Sequence, residues 1–102
     1  EQYKSIKTHW LAFPLVIKKN KIFNRKKMQI FFEKNNIQTR TIFTGNILRQ
    51  PVMKNKNYKK HSKCHIIADD VMENGILLGC HQGMTRKDLK FICQTFIKFI
   101  KK

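Results

Sequence analysis

The chain has 102 residues, with 22 Lys plus Arg against 6 Asp plus Glu, for a formal charge of +16. That length suits one domain, residues 1–102, with a modest core, and the charge gathers polyanions without naming one. The longest apolar run, WLAFPLVI at 10–17, falls well short of the ~20 residues of a membrane span. The cysteines Cys64, Cys80 and Cys93 form no C-x-x-C pair, which argues against a disulfide framework and for reduced thiols in a cytoplasmic protein.

The opening EQYKSIKTHW has no apolar stretch of the signal-peptide kind. It starts with Glu, which suggests a piece of a longer polypeptide. Residues 10–18 read as a buried strand, and Pro14, which lacks an N–H for a ladder bond, puts that strand at an edge or on a bulge. Asn24 is placed to cap a helix running to about residue 36, with Met28, Phe31 and Phe32 on its apolar face and Asn35-Asn36 as its stop. Residues 38–43 alternate weakly and read as a second strand ended by Gly45. Pro51 then limits any helix over 46–50 to about one turn.

Residues 54–63 are polar and basic and read as a surface loop. Residues 66–74 suit a short helix with Ile67, Val71 and Met72 inward and Gly75 as its C-terminal cap. Residues 76–80 suit a third strand. Thr85 and Asp88 form a capping-box pattern ahead of Leu89, Ile92, Phe96 and Phe99, which recur at helical spacing to the C-terminus. The order of strands and helices describes a small α/β (α+β) two-layer sandwich of about three strands with helices on a face.

Self-contained chemistry is hard to build from these residues. His61, Cys64, His65, Cys80 and His81 include zinc-ligand types, but adjacent Cys-His residues on a strand point to opposite faces, and structural-zinc spacing is absent. Asp69, Asp70 and Glu73 share one polar helical segment, so no carboxylate pair of glycosidase type is assembled. Neither GxxxxGK nor GxGxxG occurs. A stand-alone basic nucleic-acid-binding module is the rival from another class, carried by charge alone. The aromatics Trp10, Phe13, Phe31, Phe32, Phe96 and Phe99 stand where a core needs them, and no RNP, KH or zinc-finger pattern appears.

Three segments, HWLAFPLVI, IQTRTIFTGNILRQP and ADDVMENGILLGCHQGMTRKDLKFI, resemble in order and spacing the C-terminal small domain of the DegT/StrS family. The likeness lies in an "aFP" strand, a helix, an "xTRxxF" strand and a polar loop. A turn like "GxxxxLT" then opens the last helix, here GCHQGMT at 79–85. The resemblance implies a pyridoxal-phosphate-dependent, fold-type-I enzyme acting on nucleotide-linked keto sugars. The form GNILRQP, where the family's aminotransferases tend to carry a "PxH" loop, is similar to the 3-dehydrase branch, whose CDP-sugar member also uses an iron–sulfur cluster. Pyridoxal or pyridoxamine phosphate, that cluster and the catalytic base (Lys in aminotransferases, His in dehydrases) would belong to a large domain outside these residues. The chain alone would then be inactive.

The same resemblance implies a lid over the sugar pocket in sugar or lipopolysaccharide biosynthesis, in a homodimeric whole. The bland reading of TGNILRQP is a turn, with Gly45 at positive φ and Pro51 stiffening the exit. The functional reading turns the loop toward the cleft between domains. There Asn46 and Gln50 would meet sugar groups, Arg40 or Arg49 a diphosphate, and His81 the same cleft. The candidate substrate-binding residues are therefore Arg40, Asn46, Arg49, Gln50 and His81.

Overall fold

The structure is a computed structural model that describes residues 4–18, 22–59 and 65–101. In chain order it contains β1 (Ala12–Val16), α1 (Arg25–Lys34), β2 (Thr39–Arg40), α2 (His65–Asn74), β3 (Gly75–Gly79) and α3 (Arg86–Ile100). Two single-turn 3₁₀ helices, Ile47–Arg49 and Pro51–Met53, lie between β2 and α2. The three strands form one antiparallel sheet in the order β1-β3-β2.

Pro14 is accommodated by register. The Ile17 amide donates to the Asn74 carbonyl at 3.0 Å, and β1 continues antiparallel to β3 with Leu15 opposite Ile76 and Phe13 opposite Leu78. Hydrogen-bonded and non-hydrogen-bonded pairs alternate in such a ladder. Pro14, opposite Leu77, therefore occupies a non-hydrogen-bonded position, where an N–H would have pointed to the free edge. The proline removes no ladder bond and denies that edge a donor.

Asn24 caps α1, its side chain accepting from the Lys27 amide at 3.0 Å. The far end closes as a Schellman motif. Asn36 takes φ of 57°, its amide donates to the Glu33 carbonyl, and the Ile37 amide donates to the Phe32 carbonyl. Asparagine tolerates that left-handed position better than most side chains. The motif folds Ile37 back beside Phe32, and both are buried with Met28 and Leu78. Leu15, Ile17, Phe31, Ile92, Phe96 and Phe99 pack around that nucleus, so α1 and α3 cover one face of the sheet. Edge-on rings tighten it: Phe32 meets Phe96 at 6.2 Å and Phe23 meets Phe99 at 4.8 Å between centroids.

Several elements differ from the sequence reading. The first strand is not buried: Phe13 and Val16 are about half exposed and Leu11 is almost fully so. Its outer neighbour is missing among the described residues, so only Leu15 and Ile17 reach the core. The second strand shrinks from 38–43 to Thr39–Arg40, because Phe43 turns at φ of 46° and the Gly45 amide closes a turn on the Ile42 carbonyl. In α2, Ile67 is exposed rather than inward, and the half-buried side belongs to Val71 and Met72. Gly75 does not cap that helix with positive φ but begins β3 directly. The end of α2 is instead closed by the guanidinium of Arg25, which donates to the carbonyls of Met72 and Gly75. A cation there also suits the negative end of the helix dipole. Of the 54–63 loop, residues 54–59 are described and carry no regular strand or helix, while 60–63 lie outside the described residues.

Candidate functional site

The TGNILRQP segment is held at one carboxylate. Gly45 sits at φ of 68°, and a Cβ there would come within 2.7 Å of the Met72 main chain and closer still to its side chain. Only glycine lets the loop lie against α2 in this way. Asn46 follows, buried to 3% exposure. Its Oδ1 accepts from the Leu48 amide at 3.0 Å, which caps the 3₁₀ turn, and its Nδ2 donates to Asp69 Oδ1 at 2.8 Å. At the other end of that turn Arg49 reaches the same side chain, Nε to Oδ1 at 3.0 Å and Nη2 to Oδ2 at 2.6 Å. Gln50 Nε2 donates to the Thr44 carbonyl at 2.9 Å and ties the two ends of the segment together.

Asp69 is thus a shared acceptor for a buried amide and a two-pronged guanidinium. The hydrogen bond from Arg49, followed by that from Asn46, holds its carboxyl down at about 2 against an ordinary 3.8, with burial acting in the opposite direction. Arg49 is correspondingly raised by the Asp69 hydrogen bond and charge. In the sequence Asp69 shares one polar helical segment with Asp70 and Glu73, and no local pattern pairs it with the loop. The available signal was scarcity: with 6 acidic residues against 22 basic ones, each carboxylate has many suitors. Arg25, the other side chain that fixes α2, had no sequence signal beyond its place at the start of α1.

The remaining candidates lie elsewhere on the sheet. Arg40 ends β2 opposite Leu77, and among the described residues it makes no ion pair. By the alternation of a strand it projects from the face opposite Thr39 and Leu78, away from the α1/α3 core. His81 follows the far end of β3, and its Nδ1 accepts from the Gly83 amide at 3.1 Å. An accepting Nδ1 leaves the ring proton on Nε2, which is exposed and free to donate. The structure brings Asn46, Arg49 and Gln50 together and sets His81 apart from them. The loop lies by the Gly75 end of β3, where Ile42 meets Gly75, whereas His81 lies two residues past Gly79, which is itself roughly 13 Å along the strand from Gly75.

A pyridoxal-phosphate seat needs an anion cradle and a carboxylate for the ring nitrogen. The N-terminus of α3 is already filled by its own Asp88, whose Oδ2 accepts from the Thr85 amide and hydroxyl at 2.7 Å each. Those bonds hold the Asp88 carboxyl below its usual range. The N-terminus of α1 is filled by Asn24, and Asp69 is committed to Arg49 and Asn46. Among the described residues no group of three His, Cys, Asp or Glu is placed to hold a metal ion, so they offer no seat for an iron–sulfur cluster either. These residues do not fit the cofactor by themselves. No helix among them is long and apolar enough to cross a membrane.

A small α+β fold with a three-stranded antiparallel sheet, two covering helices and a glycine-led loop locked to a third agrees with the expected kind of domain. Over residues 1–97 the sequence matches the profile of the DegT/DnrJ/EryC1/StrS aminotransferase family, and the chain belongs to that family. Two curated relatives are similar to it over most of its length. The lipopolysaccharide biosynthesis protein RfbH of Salmonella typhimurium is 29% identical over 90 residues, 88% of this chain and 20% of the relative. The dTDP-4-dehydro-2,6-dideoxy-D-glucose 3-dehydratase of Saccharopolyspora spinosa is 27% identical over 93 residues, 91% of this chain and 20% of the relative. The chain therefore spans about a fifth of the length of these relatives. The 3-dehydratase in the second name agrees with the branch suggested by GNILRQP.

Proposed function

We propose that these residues form the C-terminal small domain of a nucleotide-sugar 3-dehydrase dependent on pyridoxal or pyridoxamine phosphate, working in sugar or lipopolysaccharide biosynthesis in the cytoplasm. The observation that carries the reading is the family match over 1–97, with two relatives about five times as long. The cofactor and the base that moves protons would sit in the remainder of the polypeptide.

The work of this domain is orientation. Asn46 is buried with both ends of its amide engaged, so it positions the loop rather than meeting the sugar. Arg49 keeps more than half of its side chain exposed beside Asp69 and still presents N–H donors to an anion. Arg40 supplies a second cation, without an ion pair among the described residues, and Gln50 holds the loop closed. His81, at the other end of β3, offers its Nε2–H. An extended nucleotide-linked sugar is long enough to touch both ends, with the diphosphate toward the arginines. Holding reactants in a productive geometry supplies several kcal/mol of barrier reduction without any bond made by this domain.

The test is product identity from the full-length protein supplied with cofactor and a nucleotide-linked 4-keto-6-deoxyhexose. A product in which hydrogen replaces the C3 hydroxyl, lighter by one oxygen, with pyridoxamine phosphate consumed to pyridoxal phosphate and ammonia, supports the dehydrase. An amino sugar formed with glutamate as donor assigns the aminotransferase reading instead. No turnover of any such sugar, together with salt-sensitive binding to generic DNA, would favour the nucleic-acid module.

A further inference from the structure

Asn74-Gly75 is the chain's one Asn-Gly step, and it falls on the seam where α2 ends and β3 begins. The fold requires that glycine. A Cβ at residue 75 would strike the Val71 carbonyl oxygen and come within 2.7 Å of Ile42 Cδ1. A side chain on the residue after an asparagine hinders attack of that residue's nitrogen on the asparagine carboxamide, and glycine offers no such hindrance. The packing that admits only glycine at 75 therefore leaves Asn74 chemically vulnerable. The fold also restrains it. Asn74 Nδ2 donates to Asp70 Oδ1 at 2.7 Å, which folds the carboxamide back one turn along α2. The Asn74 carbonyl accepts from the Ile17 amide at 3.0 Å. Gly75 is buried, pairs with Val16 in the sheet, and its carbonyl accepts from Arg25.

We propose that Asn74 is a modification site that deamidates through Gly75, and that its hydrogen bond to Asp70 is the catch that holds the reaction off. In this step the Gly75 nitrogen bonds to Asn74 Cγ and the bond from Cγ to Nδ2 breaks. The proton of the Gly75 amide passes through water to the departing nitrogen, so that ammonia leaves and a five-membered imide remains. Water then opens the imide at either carbonyl. One opening gives aspartate, and the other gives isoaspartate, with the main chain routed through the β-carbon. One water enters and one ammonia leaves, with no oxidation or reduction. For the nitrogen to reach Cγ, the carboxamide must swing away from Asp70 and the peptide must turn out of its place beside Ile17. The product cannot resume the old arrangement. A carboxylate at 74 has no N–H for Asp70 and stands as a like charge at the negative end of α2. That helix carries Asp69, so the change loosens the anchor of the GNILRQP loop.

The experiment uses the full-length protein and reads mass rather than activity, so its outcome is independent of which reaction the enzyme performs. Wild type, Asp70→Ala and Asp70→Asn are held at physiological pH and temperature. Peptide mass spectrometry follows the gain of about 1 Da at Asn74, and an isoaspartyl methyltransferase with S-adenosylmethionine identifies the isoaspartate. Conversion should be fastest in wild type unfolded by guanidinium chloride, at least about tenfold slower in native wild type, and about threefold or more faster again in native Asp70→Ala. Asp70→Asn keeps an acceptor oxygen for Asn74 and should stay near wild type. Denaturation midpoints accompany the rates, and rates that simply track the midpoints across both variants overturn the role of the catch. Equal rates in native and unfolded wild type, or in native wild type and Asp70→Ala, overturn the proposal. So does an Asn74 that stays intact in the unfolded chain. Asn74→Asp, which installs the charge of the product, should unfold at a lower denaturant concentration than Asn74→Ala, and equal midpoints would overturn the loosening of α2.

Discussion

The Arg49 guanidinium and the Asp69 carboxylate meet side-on across 20 residues of sequence, with contacts of 3.0 and 2.6 Å, and Asn46 joins the same carboxylate at 2.8 Å. This is the geometry in which a guanidinium matches a carboxylate best, and it welds the GNILRQP loop to α2. What the family resemblance marks as a distinctive loop is, in physical terms, a loop whose shape is set by one acidic side chain.

The clamp has a pH signature. The Asp69 carboxyl titrates at about 2 in the folded protein against 3.8 in a free chain. Folding therefore favours the ionised form, and its contribution is complete above about pH 4 and disappears as pH falls toward 2. Urea midpoints of wild type and Asp69→Asn should differ above pH 4 and converge as the pH is lowered through that window. A gap that stays constant across it would show that the ionised carboxylate is not what holds the loop.

Gly45→Ala should destabilise by roughly 1–3 kcal/mol, since alanine resists positive φ and its methyl would overlap Met72. Gly79→Ala is the control, because a methyl there meets nothing within 4 Å, and it should stay within about 0.5 kcal/mol of wild type. Chemical denaturation of both variants checks the contrast.

Phe32 is fully buried between α3 and the sheet, in edge contact with Phe96. Phe32→Ala should cost about 3–5 kcal/mol, enough to unfold a domain of this size. A fall in thermal midpoint of only a few degrees would mean that the core is centred elsewhere.

At the start of α3 the capping box is complete, with Thr85 Oγ1 accepting from the Asp88 amide and Asp88 accepting in return. Thr85→Ala should cost about 1 kcal/mol, and Thr85→Ser should restore most of it. Equal stability of all three proteins would mean that α3 is held by its packing alone.

Local rules made much of this legible. The Asn24 cap, the asparagine stop after α1, the edge position of Pro14, the single turn before Pro51 and the Thr85–Asp88 box all follow from residues close in sequence. What stayed hidden depends on distant partners. Asp69 to Arg49 and Arg25 to the end of α2 span 20 and about 50 residues. No periodicity reveals which of many cations a given carboxylate will choose. The exposure of Phe13, Ile67 and the outer face of α3 was hidden for a different reason. An apolar pattern says that a side chain wants cover, and does not say whether the cover comes from the same stretch of chain.

The central claim is that the loop bound to Asp69 orients a nucleotide sugar for chemistry performed elsewhere in the polypeptide. Its most direct test is kcat/KM of the full-length protein for the proposed nucleotide-sugar substrate, with the cofactor absorbance recorded alongside, for Arg49→Ala, Asp69→Asn and the double variant. The account predicts that each single change lowers kcat/KM by about 10²-fold with the cofactor spectrum intact, and that the double variant is little worse than either. Wild-type kcat/KM in both single variants would contradict it.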